Sequence, residues 1–204
     1  MRPLRLCALL VVVAIFPQVT GSDSLAIPIA PISIGSLASQ FSPPKREDAA
    51  TIEAIRNTLA IYPFAIDGKD FDALSKVFTS DTTANYSAPL NVLTPLSTIQ
   101  STLKASLTCV TTQHLYGTQL IDVISPTVAR SVTYFRAAHF GKGDTTGQVL
   151  YAFGNYQDRW HLQDDHTWRI TYRNLVYMQS HDDMLDDIDG ALYLKKQLNS
   201  REPQ

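Results

Sequence analysis

The second half of the chain contains four long stretches in which apolar and polar residues alternate. They cover about residues 110–124, 127–141, 147–162 and 166–179. Turn signals separate them at Ser125-Pro126, Gly141-Lys142-Gly143-Asp144 and Asp164-Asp165. A period of two is that of a β-strand with one buried face, and long strands joined by short turns pair with antiparallel neighbours. The sequence therefore predicts one large, mostly antiparallel sheet.

The first half of the chain has a helical period instead. One apolar stripe, at steps of three and four residues, consists of Ile52, Ile55, Leu59, Tyr62 and Ile66. We expect this helix to follow Asp48 as its cap and to kink at Pro63. Three elements come next: a short helix capped by Asp70, a strand at about residues 83–88, and a helix over 95–107 capped by Thr94. Helices followed by strands indicate an α+β domain, a cone-shaped barrel of a curved sheet closed by N-terminal helices.

The folded domain occupies only part of the chain. We divide the sequence into a secretory signal at residues 1–21, a Pro- and Ser-rich linker at 22–46, the domain at 47–181, and an acidic and then helix-like tail at 182–204. The prolines of the linker are expected to break every element there, and the segment either is disordered or packs loosely on the domain.

The first residues have the order of a secretory signal peptide. Arg2 and Arg5 precede an apolar run over residues 6–16, and a small-residue end follows at Gly21. The alternative is a buried N-terminal helix, but the run is not amphipathic. We expect a mature chain without a membrane span, secreted or held in a vesicle or vacuole.

Cysteine usage, one glycosylation motif and the net charge indicate which covalent modifications and which partners to expect. Cys7 leaves with the signal, so Cys109 has no intramolecular disulfide partner. Asn85-Tyr86-Ser87 is a glycosylation sequon, which the secretory route makes usable at Asn85. The formal net charge of −2 provides no basic face for nucleic acid.

Polar and aromatic side chains are expected to gather on one face of the sheet. Alternate residues of a strand share a face, which groups His114 with Tyr116 and His139 with Phe135. On the third strand the same rule groups Tyr151, Phe153, Asn155 and Gln157. Imidazoles, phenols and amides among aromatic walls suit a small organic ligand.

Asp67 ends the first long helix, where its charge meets the negative end of the helix dipole. A nearby imidazole would compensate, and an Asp–His pair makes the histidine an effective general base. The alternative is turn chemistry, since Asp-Gly is a common turn pair. A lone His114 or His139 is equally compatible with a hydrogen-bonded core residue. The histidine spacings predict no metal site.

The order of these fragments resembles a known family. Asp67 precedes Gly-Lys-Asp-Phe-Asp-Ala-Leu, Thr-Gln-His follows at 112–114, Arg-Ala-Ala-His at 136–139, and two tryptophans flank a late turn. This resembles scytalone dehydratase and the wider SnoaL-like group of the NTF2-like superfamily over residues 48–180. The resemblance implies a cone with an interior site and no cofactor.

The resemblance also implies roles for single residues. Asp67 and His114 would abstract a proton beside a carbonyl, His139 would assist the leaving hydroxyl, and Tyr86 would hold the substrate carbonyl through a water. The family has a tyrosine directly before the aspartate, where this chain has Ile66. Tyr62 and Tyr116 are the expected replacements, and the family's strand serine and asparagine fall at Asn155 and Gln157.

These observations predict a cofactor-free lyase or isomerase. It would remove water or shift a double bond beside a carbonyl in a polyketide- or terpenoid-like molecule. A SnoaL-type cyclase with the same pocket is one alternative, and a non-catalytic binding or assembly module of the same fold is another. The resemblance also implies a homo-oligomer, either a dimer or a trimer, that associates through the open sheet face, because an exposed apolar face would otherwise favour aggregation.

Overall fold

The computed structural model describes residues 30–88 and 90–178, so the predicted signal peptide and the predicted tail lie outside the described residues. The helices are α1 (Ile34–Gln40), α2 (Ala49–Gly68) and α3 (Leu96–Leu107), with short 3₁₀ turns at Arg46–Asp48, Phe71–Lys76 and Gly143–Thr145. The strands are β1 (Phe78–Asn85), β2 (Val92–Leu93), β3 (Val110–Ser125), β4 (Val128–Gly141), β5 (Val149–Leu162) and β6 (Trp168–Tyr177).

The strands form one six-stranded sheet in the order β2-β1-β6-β5-β4-β3. All neighbours are antiparallel except β1 and β6, which run parallel. The sheet is curved but unclosed, because β2 and β3 are its two free edges. Helix α2 packs along β3 and β6, and α3 packs on β1, so the helices complete the wall of the cone. The predicted α+β architecture is confirmed.

The predicted elements agree with the structure more closely than their caps do. The four long strands begin and end within about two residues of the predicted limits, and the Asp70 carboxylate accepts the backbone N–H of Ala73 at 3.2 Å, as predicted. The prediction that Thr94 caps α3 was wrong, because the Thr94 hydroxyl donates to the Thr82 carbonyl and Pro95 occupies the position before the helix. Asp48 precedes α2 but makes no side-chain cap bond.

The described part of the predicted linker, residues 30–46, carries α1 and lies on the outer face of the sheet. The Gln157 amide bonds both backbone groups of Ile32, accepting its N–H at 2.7 Å and donating to its carbonyl at 2.8 Å. Leu37 is buried, and the Arg130 guanidinium lies 4.5 Å from the Phe41 ring centroid. The prediction that prolines break every element here was wrong for residues 34–40, because the prolines flank this stretch without entering it.

The core between the helices and the sheet is mainly apolar, and it encloses one fully buried ion pair. Ile55, Leu59 and Leu74 are fully buried between the helices and the sheet. Arg173 on β6 and Asp158 on β5 face each other across the strands with 2.7 and 2.8 Å hydrogen bonds, and neither side chain is exposed. Among the described helices, none is both long and apolar enough to cross a bilayer.

The buried ion pair generates a prediction about stability. Arg173→Met leaves the Asp158 carboxylate buried and unpaired, so we expect the free energy of unfolding to fall by about 3–5 kcal/mol. The double variant Arg173→Met/Asp158→Leu should recover most of that loss, because an apolar pair of similar volume carries no uncompensated charge. Urea denaturation of the single and double variants measures both values.

The matched control is the surface pair of Arg169 and Asp165, whose side chains are 28% and 51% exposed. Arg169→Met should change the free energy of unfolding by less than about 1 kcal/mol, as is usual for surface ion pairs. A double variant at 173 and 158 that is no more stable than Arg173→Met alone would contradict this account of the buried charge.

Candidate active site

The last turn of α2 brings Asp67 to the free edge of the sheet. The helix ends where the backbone N–H groups of Lys69 and Asp70 turn back to the carbonyls of Ile66 and Ala65. Lys69 takes the left-handed conformation that closes the helix, with φ 61°. Because α2 packs along β3, the side chain of Asp67 meets the backbone of that edge strand.

Asp67 binds His114 twice. One carboxylate oxygen lies 2.7 Å from His114 Nδ1, and the other accepts the His114 backbone N–H at 2.8 Å. An edge strand leaves such N–H groups unpaired, so the carboxylate satisfies one of them and orients the ring at the same time. This is the partner that a carboxylate at the negative end of a helix dipole requires.

The contact with His114 also sets the charge of Asp67. Partial burial by itself raises the pKa of the Asp67 carboxyl, but the side-chain and backbone hydrogen bonds of His114, with a smaller bond from Thr112, outweigh it and leave the pKa lowered. The carboxylate is therefore ionised at neutral pH. An ionised carboxylate accepts the Nδ1 proton, which leaves the lone pair of His114 on Nε2.

His139 lies on the same inner face of the sheet as His114. The two ring centroids are 6.1 Å apart and the rings are nearly perpendicular, and His139 pairs across the strands with Thr112. Burial lowers the pKa of His139 to about 4, helped by the neighbouring His114 and offset in part by the Leu150 backbone. The imidazole is therefore neutral at pH 7. Its buried Nδ1 has no hydrogen-bond partner among the described residues.

Tyrosines continue this face toward the narrow interior of the cone. The Tyr62 and Tyr86 hydroxyls are 3.2 Å apart, and the Tyr62 ring lies 6.3 Å from His114, between centroids. Tyr116 lies 5.9 Å from Tyr156. Burial raises the pKa of Tyr86, Tyr116 and Tyr156 well above the usual value, against the opposing charge of Arg173. These phenols are neutral and can donate hydrogen bonds.

Asn155 and Gln157 do not share this face, and that expectation was wrong. Gly154 and Tyr156 pair with Phe135 and Thr133 of the inner face, so the odd-numbered residues of β5 point outward. Gln157 binds the N-terminal segment and donates to Asn155 at 3.0 Å. The grouping of alternate residues within each strand was correct. Which of the two groups faces the histidines depends on the register between the strands.

Two interior residues were absent from the sequence prediction. Tyr156 stacks on Phe135 at a centroid distance of 4.5 Å, and the Arg173 guanidinium lies 4.1 Å from the Tyr156 ring and 4.5 Å from the Tyr62 ring. The even-numbered residues of the third long strand, β5, include Tyr156 and Asp158. An acidic residue on the same face as an aromatic one was the sequence signal for an inner face with a buried ion pair.

Asn85 and Tyr86 lie on opposite sides of the sheet, as their adjacency in an extended segment requires. Tyr86 is buried inside. The Asn85 amide donates to Asn174 Oδ1 at 3.3 Å on the outer side. Within the described ranges, no three His, Cys, Asp or Glu side chains cluster closely enough to hold a metal ion.

Comparisons with known proteins agree with this geometry. The chain matches the SnoaL-like domain family over residues 47–174. No match is found among curated proteins. A solved structure of Kfla4162 from Kribbella flavida is 23% identical, with a TM-score of 0.59, and the match covers 65% of this chain and 94% of that one.

Two further structures carry names that describe an activity. A scytalone dehydratase candidate from Novosphingobium aromaticivorans is 22% identical, with a TM-score of 0.59 and coverage of 65% of this chain and 87% of that one. The hexachlorocyclohexane dehydrochlorinase LinA type 2 is 11% identical, with a TM-score of 0.58 and coverage of 64% and 87%. At these identities the structures show a shared fold.

The buried, neutral His139 makes stability depend on pH. Its pKa of about 4 in the folded protein lies below the value of about 6.5 expected when unfolded, so the unfolded chain binds the extra proton between these values. Lowering the pH from 7 to 4 should therefore reduce the free energy of unfolding by about 3 kcal/mol through this residue.

The His139→Gln variant tests this contribution, because it removes the titrating group. Denaturation at pH 7, 5.5 and 4 should give a shallower pH dependence for this variant than for the parent. His161→Gln, at an exposed histidine, is the control and should follow the parent. Equal pH dependence in His139→Gln and the parent would show that His139 is not held neutral by the fold.

Proposed function

Because the chain belongs to the SnoaL-like domain family, we propose that it is a cofactor-free lyase or isomerase that acts beside a carbonyl group. The observation that carries this proposal is the Asp67–His114 pair, with its 2.7 Å bond to Nδ1 on the inner face of the cone. A carboxylate fixed in this way leaves Nε2 of His114 as the base and stabilises the imidazolium that forms.

The proposed reaction begins at the carbon next to the carbonyl. Nε2 of His114 takes the proton, and the electron pair of the broken C–H bond moves into the carbonyl oxygen as an enolate. In a dehydration the enolate re-forms the carbonyl and expels the β-hydroxyl, which leaves as water with the proton returned from His114. In an isomerisation the same proton returns to a different carbon of the conjugated system.

The other inner-face residues fit supporting roles. A neutral imidazole at His139 is not an effective general acid at pH 7, so we assign it to orienting the leaving hydroxyl by hydrogen bonding. The hydroxyls of Tyr62, Tyr86 and Tyr116 are suitable donors to a carbonyl oxygen on which negative charge develops. The positive charge of Arg173 behind these phenols favours that charge.

The names of similar structures support elimination chemistry. A dehydratase removes water and a dehydrochlorinase removes HCl, and in both a proton and a leaving group depart from the substrate. A polyketide- or terpenoid-like ketone with a β-hydroxyl group is the substrate class we propose. A cyclase would use the same base to form a carbon–carbon bond, and analysis of the product separates the two reactions.

A non-catalytic binding module is the second candidate, and one observation favours it. Phe135 and Tyr156 are stacked at 4.5 Å, so side chains fill the deeper part of the cone. That role also predicts Asp67 directed to solvent, whereas its side chain is 24% exposed and bonded to a histidine that is 7% exposed. We therefore favour a small substrate held near the two histidines.

Exchange of the α-proton tests the proposed chemistry without knowledge of the leaving group. In D₂O the parent should incorporate deuterium beside the carbonyl of cyclic β-hydroxy ketones, as measured by NMR. Asp67→Asn and His114→Gln should each lower the exchange rate by about 100-fold or more, which is the usual contribution of a general base.

The exposed residues Asp81 and His161 supply the matched controls for this assay. Asp81→Asn and His161→Gln should exchange at the parental rate. If Asp67→Asn and His114→Gln exchange the α-proton of a ketone as fast as the parent does, the pair is not the base. The non-catalytic binding role would then be the better account.

We also propose that the protein self-associates through the outer face of the sheet. Five apolar side chains on the outer face of β3–β5 are 38–44% exposed: Leu115, Phe140, Val149, Tyr151 and Phe153. A contiguous exposed patch of this kind indicates an interface. The N-terminal segment covers the neighbouring part of the same face, which contains Gln157, and leaves this patch open.

Charged substitutions in the patch should dissociate the assembly. We expect Tyr151→Glu/Phe153→Lys to sediment as a monomer at concentrations at which the parent sediments as a dimer or trimer. Phe64→Glu is the comparison, because Phe64 is 81% exposed on α2, away from the patch. A monomeric parent would show that there is no such interface. An assembly that only Phe64→Glu dissociates would place the interface on α2 instead.

A further inference from the structure

The end of α2 has an unusual choice of residue. The left-handed position, with φ 61°, is occupied by Lys69, although Gly68 stands directly before it. Glycine is the usual residue here, and a side chain in this conformation costs about 1 kcal/mol. An unfavourable residue that persists at such a position points to a use for its side chain.

The side chain of Lys69 reaches the inner face next to the two histidines. Its Nζ donates to Thr112 Oγ1 at 3.0 Å. Thr112 is buried, pairs across the strands with His139, and shares its face with His114, two residues further along β3. The ammonium group is therefore held beside the two histidines by one hydroxyl.

Thr112 also contacts Asp67. Its hydroxyl accepts a hydrogen bond from Lys69, so its own O–H remains available for the carboxylate, and Thr112 is among the groups that lower the Asp67 pKa. Lys69 lies two residues after Asp67, and Thr112 lies two residues before His114. The Lys69–Thr112 bond therefore holds together the same two segments that the Asp67–His114 bonds join.

We propose that Lys69 and Thr112 are positioning residues for the Asp67–His114 pair, and that the Lys69 ammonium, held beside His139 by Thr112, acts on that imidazole through its charge. The inference rests on the proposed function for its catalytic consequence, whereas its electrostatic part can be tested without a substrate. Thr112 fixes the orientation of the carboxylate, and therefore the direction of the His114 ring. Lys69 supplies a fixed positive charge without touching the substrate.

Several charged or titratable groups face this position. Asp67 and Lys69 belong to the end of α2, Cys109 precedes β3, His114 and His139 lie on β3 and β4, and Lys142 follows β4. Burial lowers the pKa of Lys69, Asp67 raises it, and Lys142 lowers it. For His139, burial and His114 act in the same direction as Lys69, and Asp67 opposes them.

The Lys69→Gly variant separates the charge from the backbone, because the two effects on this residue have opposite signs. Glycine relieves the left-handed strain, so the free energy of unfolding should stay the same or rise. Removal of the ammonium should move the His139 titration to higher pH. Lys69→Met should give the same shift without the gain in stability, and Lys69→Arg should retain the parental titration because it retains the charge.

The readout is NMR titration of the histidine ring carbons in ¹³C-labelled protein, which needs no substrate. Exposed His161 is the internal reference, and Lys76→Met, at an exposed lysine, is the control variant that should match the parent. An unchanged His139 titration in both Lys69→Gly and Lys69→Met would overturn the electrostatic part of the proposal.

Thr112→Val tests the positioning part, with Thr112→Ser as the conservative variant. Loss of one hydrogen bond to a charged group should lower the α-proton exchange rate about tenfold, with the loss in kcat rather than in KM, and serine should restore it. If Asp67→Asn stops exchange but Thr112→Val does not slow it, the positioning role fails alone. If the His139 titration shifts but no variant affects exchange, the proposed function fails and the electrostatic inference remains.

Discussion

The bond between Asp67 and His114 joins the helical half of the molecule to the sheet at its open edge. Two constraints meet there. A helix that ends with a carboxylate needs a positive or donating partner, and an edge strand has N–H groups that need acceptors. One carboxylate satisfies both, at 2.7 and 2.8 Å. The contact therefore fixes where α2 ends against β3, and with it the orientation of the imidazole that lines the interior.

The rest of the interior is arranged around charge that does not reach solvent. Arg173 is cationic, fully buried and paired with Asp158, and it is surrounded by the rings of Tyr62, Phe78 and Tyr156. The Tyr156 phenol beside it is neutral, and so is His139. Neutral donors close to a fixed cation favour an oxygen that gains negative charge. Such a surrounding suits enolate chemistry better than the binding of a substrate that is already cationic.

Much of the fold could be predicted from the sequence because hydrophobic period is a local property. The four long strands and α2 follow from it directly, and Asp67 and His114 were expected as a pair from the dipole argument together with the family resemblance. Register is not local. Asn155 and Gln157 were assigned to the wrong face because the pairing of β5 with β4 is decided by packing across the whole sheet. The same error left Tyr156 out of the predicted inner face. No sequence pattern marked Arg173 as a buried cation.

The most direct measurement of the central claim is the tautomer of His114, from the nitrogen chemical shifts of ¹⁵N-histidine-labelled protein at pH 7. The account predicts a proton on Nδ1, hydrogen-bonded to the Asp67 carboxylate, and an unprotonated Nε2 that is free to accept a proton. In Asp67→Asn the preference for this tautomer should be lost. A proton on Nε2 in the parent protein, or a tautomer that is the same with and without the carboxylate, would contradict the account.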